Sequence, residues 1–425
     1  MNPHRFPDDS TRPRTGESTV IWTLWLTYGA FYFGRVNISA TIPGLTAAVA
    51  DGGLGIGPET VGWILGSLKI TYAVGQLLNG QLSERLPARK MLAVGMLGSA
   101  ALCVAFGAGT AAYFLLFVWA MNGYCQSLGW TPCVRVMANW IPVTRRGKVI
   151  GIVGTGYQVM AALAVILAGY SAELWGWRGA MFVPAGVLAA CSIVMFLFLK
   201  EHPDDVAAAR TAAVATAANA SATPFSEIFR VTVTNPALWL LGVSLGLLNA
   251  CRYGYSDWGL AHLSEVQETG LGASALQLAV LPAGAVAGVY LSGWATDRFF
   301  DNRRAPVICV LLVLLGVMTL FYDAMVRTSV TGTVVMLVLI GFCTFGPQVL
   351  LVGTAPADLA RRGTSAAAAG FVNFMGYIGA ALAGDVMTGY LYVRYGWEVA
   401  IYAWAACAFV AAIAAGLLWN RRSER

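Results

Sequence analysis

The chain has 425 residues, of which 58% are hydrophobic and 11% charged, with a mean hydropathy of +0.66 and a net charge of +6. So little charge over this length excludes a soluble globule, and most of the surface must face lipid. The basic excess falls between apolar runs and therefore reads as a membrane-topology signal, with no nucleic-acid surface implied.

Residues 1–19, MNPHRFPDDSTRPRTGEST, are polar and lack the apolar run and small-residue site of a cleavable leader, so they are expected to form a cytoplasmic tail. Apolar runs of the length that spans a ~30 Å hydrocarbon layer then follow near 20–44, 60–82, 90–111, 113–140, 148–171 and 178–199. Residues 200–235 are polar and Ala/Thr-rich, with Pro203 and Pro224, and predict a cytoplasmic linker. A second set of runs lies near 237–260, 273–296, 305–325, 331–352, 364–390 and 396–419, before a cytoplasmic tail at 420–425. The expected architecture is an all-α membrane protein of twelve transmembrane helices in two six-helix bundles, 20–199 and 236–419. Arg89, Lys90, Arg145, Arg303 and Arg421 fall on one side of it, against Arg178, Arg327 and Arg394 on the other, which predicts cytoplasmic termini. All eight cysteines are scattered through apolar runs without a CxxC pair, so they read as packing residues, with no metal site and no cofactor.

The two sets share punctuation at an offset of about 215 residues, as expected of duplicated transporter halves. Arg35 in FYFGRVN answers Arg252 in ACRYGYSD, Pro132 answers Pro347, and Gly176-Trp177-Arg178 answers Gly396-Trp397-Glu398. Gly80, Glu84, Arg85 and Arg89 answer Gly293, Asp297, Arg298 and Arg304. In this element the glycine is expected to let helix backbones approach closely, and the acid and arginine to form a clasp that breaks during alternating access. Arg135, near the cytoplasmic end of the fourth run, is expected to hold a carbonyl or an acid of that gate. No Gly-x-x-x-x-Gly-Lys loop occurs, so nothing points to ATP.

An arginine near the middle of a membrane helix costs at least ~2.5–3.5 kcal/mol, so Arg35 and Arg252, at matching depth in the two halves, predict function. Two guanidiniums offer bidentate donors to a phosphate, phosphonate or carboxylate. Lys69, two turns before Gln76 with Tyr72 between, is placed by depth near Arg35 and is expected to complete a three-cation site. Asp385 is a membrane acid and therefore a functional candidate, as partner of Lys69 or an arginine, as contact for a substrate ammonium, or as a proton acceptor. Asp257 reads equally as a structural partner or a ligand contact. Tyr32, Asn37, Tyr157 and Asn373 are candidate cavity-lining hydrogen-bonding residues.

The Gly-x-x-x-acid-Arg element in both halves resembles the signature of the major facilitator superfamily. Within it, YGAFYFGRVNISATIPGL, SLGWTPCVRVMANW, RYGYSDW, GPQVLLVG and GTSAAAAGFVNFMGYIGA resemble the organophosphate:phosphate antiporters, the group of the glycerol-3-phosphate and hexose-phosphate transporters. The resemblance implies that Arg35 and Arg252 bracket a phosphate, and that an organic phosphate is exchanged for inorganic phosphate by a rocker-switch motion. It departs from that group at Gln76, Tyr157 and Pro282, where those proteins carry a lysine, a histidine and a glutamate. The resulting expectation is a monomeric antiporter in a bacterial inner membrane. The alternatives are a proton-coupled symporter or exporter of an organic or zwitterionic anion and, from another class, a transporter-like substrate sensor.

Overall fold

The computed structural model describes residues 15–83, 86–203, 230–300, 303–360 and 364–421, and every regular element among them is helical. Lipid offers backbone groups no hydrogen bonds, so a helix that satisfies its own is the economical way across. Seven helical stretches are long and apolar enough to cross a membrane, and two of them, Val149–Phe198 and Ala367–Gly416, each hold two crossings. The first, fourth and seventh crossings are interrupted instead. The first runs as Glu17–Ala30, 3-10 turns Phe31–Gly34 and Asn37–Thr41, and the short helix Ile42–Thr46. The fourth breaks between Ala112–Ser127 and Trp130–Trp140, and the seventh carries a π-helical stretch, Gly254–Trp258, between Pro236–Tyr253 and Gly259–Val266. Twelve crossings therefore follow in the expected order.

Local chemistry sets several boundaries. The seventh crossing starts where Asn235 accepts a hydrogen bond from the Ala237 amide at 3.0 Å, with Pro236 in the first helical turn. The fifth and sixth crossings form one run, Val143–Phe198, broken at Gly176 (φ 71°), and the eleventh meets the twelfth at Gly396 (φ 79°). These are the glycines matched between the halves in the sequence, and both hold the left-handed backbone that a side chain resists. A Cβ at Gly176 would meet nothing within 4 Å, so the backbone alone selects glycine. Gly176→Ala is expected to cost about 1–2 kcal/mol, read as a lower Tm of the purified protein.

Crossings one to six pack mainly on one another, as do seven to twelve. The halves meet where the second crossing, Pro58–Leu82, lies against the π-helical stretch Ala380–Val386 of the eleventh and where Val143–Phe198 lies against Leu271–Leu278. Leu197, Ile413, Phe321 and other large apolar side chains are exposed on the outside, as a lipid-facing surface requires. The end holding Arg89, Arg145, Arg304 and Arg421 is called the basic end, and the opposite one the far end.

One expectation about the clasp changes. A Cβ at Gly293 would meet nothing within 4 Å, so this glycine does not seat a close helix contact. Glu84 and Arg85 lie outside the described residues, as does the Asp297 side chain, and Arg298 is exposed.

Candidate anion site between the halves

Arg35 sits between the two 3-10 turns of the first crossing and is 6% exposed. Its Nε donates to Gln126 Oε1 at 3.2 Å, and the Gln126 amide donates to the Phe31 carbonyl and Ser99 Oγ at 3.0 and 2.8 Å. That bracing fixes the guanidinium direction. The group lies 4.6 Å from the Tyr72 ring centre and 5.0 Å from that of Tyr32, and its Nη2 is buried without a hydrogen-bond partner. Arg252 ends the helix Pro236–Tyr253 and is 8% exposed, with Tyr253 and Phe345 ring centres 4.9 and 5.0 Å away. Its Nε is buried without a partner.

Both arginines line one cavity, with Tyr32, Gln158, Ser256 and Pro282. Among the described residues neither pairs with a carboxylate. Aromatic faces offset part of the cost of two buried cations, and the remainder favours an anion with oxygens to fill the open donors.

A larger cavity shares Tyr32, Gln158 and Arg252 and adds Tyr28, Tyr72, Gln76, Trp130, Tyr157, Asn373 and Tyr377. Its lining continues through Ile150, Gly151, Val352 and Gly353, near the basic ends of the fifth and tenth crossings, so it opens toward that end. Tyr32 and Tyr157 stack at 5.5 Å, and Tyr72 meets Tyr377 at 4.6 Å. Among the described residues no acid lines either cavity. The expected residues Tyr32, Tyr72, Gln76, Tyr157 and Asn373 thus come together with the two arginines.

Four expected residues stand elsewhere. Asn37 is fully buried inside the first half, donating to the Ala180 carbonyl at 3.2 Å, and lines neither cavity. Lys69 does not join the arginines as a third cation. Its ammonium is bound by Asp257 and, at 2.7 Å, by Asp385, and all three side chains are at most 5% exposed. A buried ammonium needs counter-charge more than it needs another cation nearby, and the two acids supply it from the second half. Both acids lie in π-helical stretches, Gly254–Trp258 and Ala380–Val386, where the wider turn re-aims side chains.

At the basic end, Arg135 donates to the Ser83 and Leu86 carbonyls. Arg89 donates to the Phe196 carbonyl, its own amide bonds Glu201, and Arg304 pairs with Asp358 at 3.3 Å. Sequence reasoning missed Gln126, Gln158, Tyr253, Phe345 and Tyr377. The detectable signals were the polar side chains Gln126 and Gln158 within membrane-length runs; the aromatic residues carried none, because rings serve equally as core.

A family profile described as Major Facilitator Superfamily matches residues 24–384. The chain is similar to a probable hexose phosphate transport protein of Chlamydia trachomatis serovar D, 29% identical over 95% of this chain and 91% of that one. It is also similar to the membrane sensor protein UhpC of Escherichia coli K12, 28% identical over 86% and 84% of the two chains. Among solved structures, a bacterial homologue of the human lysosomal transporter Spinster, inward-facing and unoccupied, matches with a TM-score of 0.75 at 15% identity, covering 96% of this chain and 97% of that one. The last match speaks for the fold alone. Taken with the twelve crossings and the site between the halves, the profile places this chain in the Major Facilitator Superfamily, as a multi-pass membrane transporter and not an enzyme.

Proposed function

We propose that this transporter exchanges a small phosphate ester or phosphonate for inorganic phosphate, gripping the phosphorus oxyanion between Arg35 and Arg252. The observation that carries the reading is a pair of buried guanidiniums, one from each half, with open donors and no carboxylate partner among the described residues. A dianionic phosphate, at roughly −1.5 to −2 charge, balances both. The names of the similar proteins, which include a hexose phosphate transport protein, support a phosphorylated cargo. With the basic end cytoplasmic, as the positive-inside rule directs, the structure is an inward-open state of a rocker switch in a bacterial inner membrane. The tyrosines, Gln158 and Asn373 then contact the organic part, and the chain works as a monomer.

The test is counterflow in proteoliposomes. Vesicles loaded with phosphate should take up labelled phosphate, and a panel of phosphate esters and phosphonates outside should compete. Uptake should persist when an uncoupler collapses the proton gradient. Failure of preloaded phosphate to drive uptake of any phosphorylated compound would sink the proposal; hexose-phosphate binding without exchange would assign sensing instead.

A further inference from the structure

The stripe Glu59, Gly62, Gly66 and Lys69 runs along one face of the second crossing at helical spacing and meets the second half at the far end. A Cβ at Gly62 would fall 2.7 Å from the Asp385 carbonyl, so helix backbones touch here. Glu59 and Arg394 pair at 3.7 Å at the surface beyond, and Lys69 is held by Asp257 and Asp385 at the inner end of the stripe. Further along the same face, Tyr72 and Gln76 enter the large cavity. One helix face therefore carries the closed far gate and then the cavity wall, and the triad lies between them without lining either central cavity.

The charges in the triad do not balance. One ammonium faces two carboxyls, all buried, and Asp385 Oδ1 has no hydrogen-bond partner among the described residues. Cysteines apart, the other titratable or charged side chains on the packed elements are Glu59, Tyr72, Tyr113, Tyr124, Arg135, Arg252, Tyr253, Tyr255, His262, Glu265, Tyr377, Tyr390, Tyr392, Arg394, Tyr395, Glu398 and Tyr402, with Arg35 and Tyr32 from the first crossing; His262 is engaged by Asp323, and Glu265 by Tyr392 and Trp397. None makes an ion pair or hydrogen bond with the triad; Tyr253 presents its ring 4.7 Å from the ammonium, and the two arginines face the cavity. Two carboxyls bound to one ammonium in a dry interface cannot both stay ionised without a further cation.

We infer that the closed far gate binds one proton, on the buried Asp385 carboxyl beside Lys69, and releases it when the halves part and water reaches that acid. On opening, the O–H bond of the Asp385 carboxyl breaks and external water takes the proton; closing reverses the step. Because the triad is shut off from the central cavity, the proton enters and leaves on the far side only. External pH therefore sets the balance between outward-open and inward-open states without supplying a driving force. The sign follows: the closed gate holds one more proton than the open gate, so acid closes it and alkali opens it.

The measurement uses spin labels on Glu59→Cys and Arg394→Cys in lipid nanodiscs, with the eight native cysteines replaced by serine. Both positions are about half exposed and sit on opposite halves. The short-distance population should grow as pH falls, by up to about tenfold in the closed-to-open ratio per pH unit. Asp385→Asn and Asp257→Asn each leave Lys69 balanced by one acid, so either variant should flatten the response and hold the gate closed. A native protein whose distances ignore pH, or an unchanged response in both variants, overturns the inference. The labels report the gate without any substrate, so this outcome is separate from that of the counterflow test.

Discussion

Arg35→Ala is expected to reduce phosphate exchange by about 100-fold or more without destabilising the protein. The guanidinium offers charge-assisted bonds of ~1.5–3 kcal/mol each, and losing two of them removes two orders of magnitude or more in binding. Stability responds differently, because Arg35 is a buried cation with one hydrogen bond, to Gln126, and no acid. Removing it relieves a desolvated charge and orphans only the Gln126 carbonyl oxygen, so Tm should be unchanged or higher. Arg252→Lys carries the same logic with the charge retained: a point charge in place of a planar fork loses the bidentate geometry. It should weaken exchange by roughly tenfold to 100-fold. Thermal shift provides the check: phosphate should raise the Tm of the native protein, by mass action on the folded state, and should fail to raise that of Arg35→Ala. A phosphate shift surviving Arg35→Ala would remove the arginine from the site.

Lys69→Met is expected to be the most destabilising single change considered, costing about 3–5 kcal/mol. It leaves Asp257 and Asp385 facing each other in a dry interface with no cation. The signature is rescue. Lys69→Met combined with Asp257→Asn and Asp385→Asn replaces all three ionisable groups by neutral groups of similar volume, which should restore most of the lost stability. A merely steric role for Lys69 would give a triple variant no better than the single one. Melting curves of the native protein, the single variant and the triple variant in one detergent decide between these outcomes.

Much of the molecule was legible before any coordinates. Apolar runs of membrane length, the basic residues between them and the repeated punctuation set the twelve crossings, and the paired turns at Gly176 and Gly396 share a backbone that the sequence match alone pointed to. The close contact assigned to Gly293 was not found, because the meaning of a small residue depends on whether a neighbouring helix is near in the state adopted. The two arginines were the strongest signal for the site. Their cost in lipid is large wherever the helix lies, so function could be inferred without knowing what surrounds them.

By itself, the sequence determined depth: which residues sit mid-membrane, in which half, and that an Arg35–Arg252 pair at equal depth suits an anion. The tertiary structure decided azimuth and partnership. Lys69 lies at the depth of Arg35, yet the rotation of the second crossing turns it toward the other half and into the hands of Asp257 and Asp385. Asn37 is two residues from Arg35, yet the 3-10 turn sends it into the first bundle. Coulomb energy and desolvation depend on the few ångströms between groups on different helices. That spacing is set by helix packing and by the π-helical stretches that carry both acids, and no periodicity in the chain encodes it.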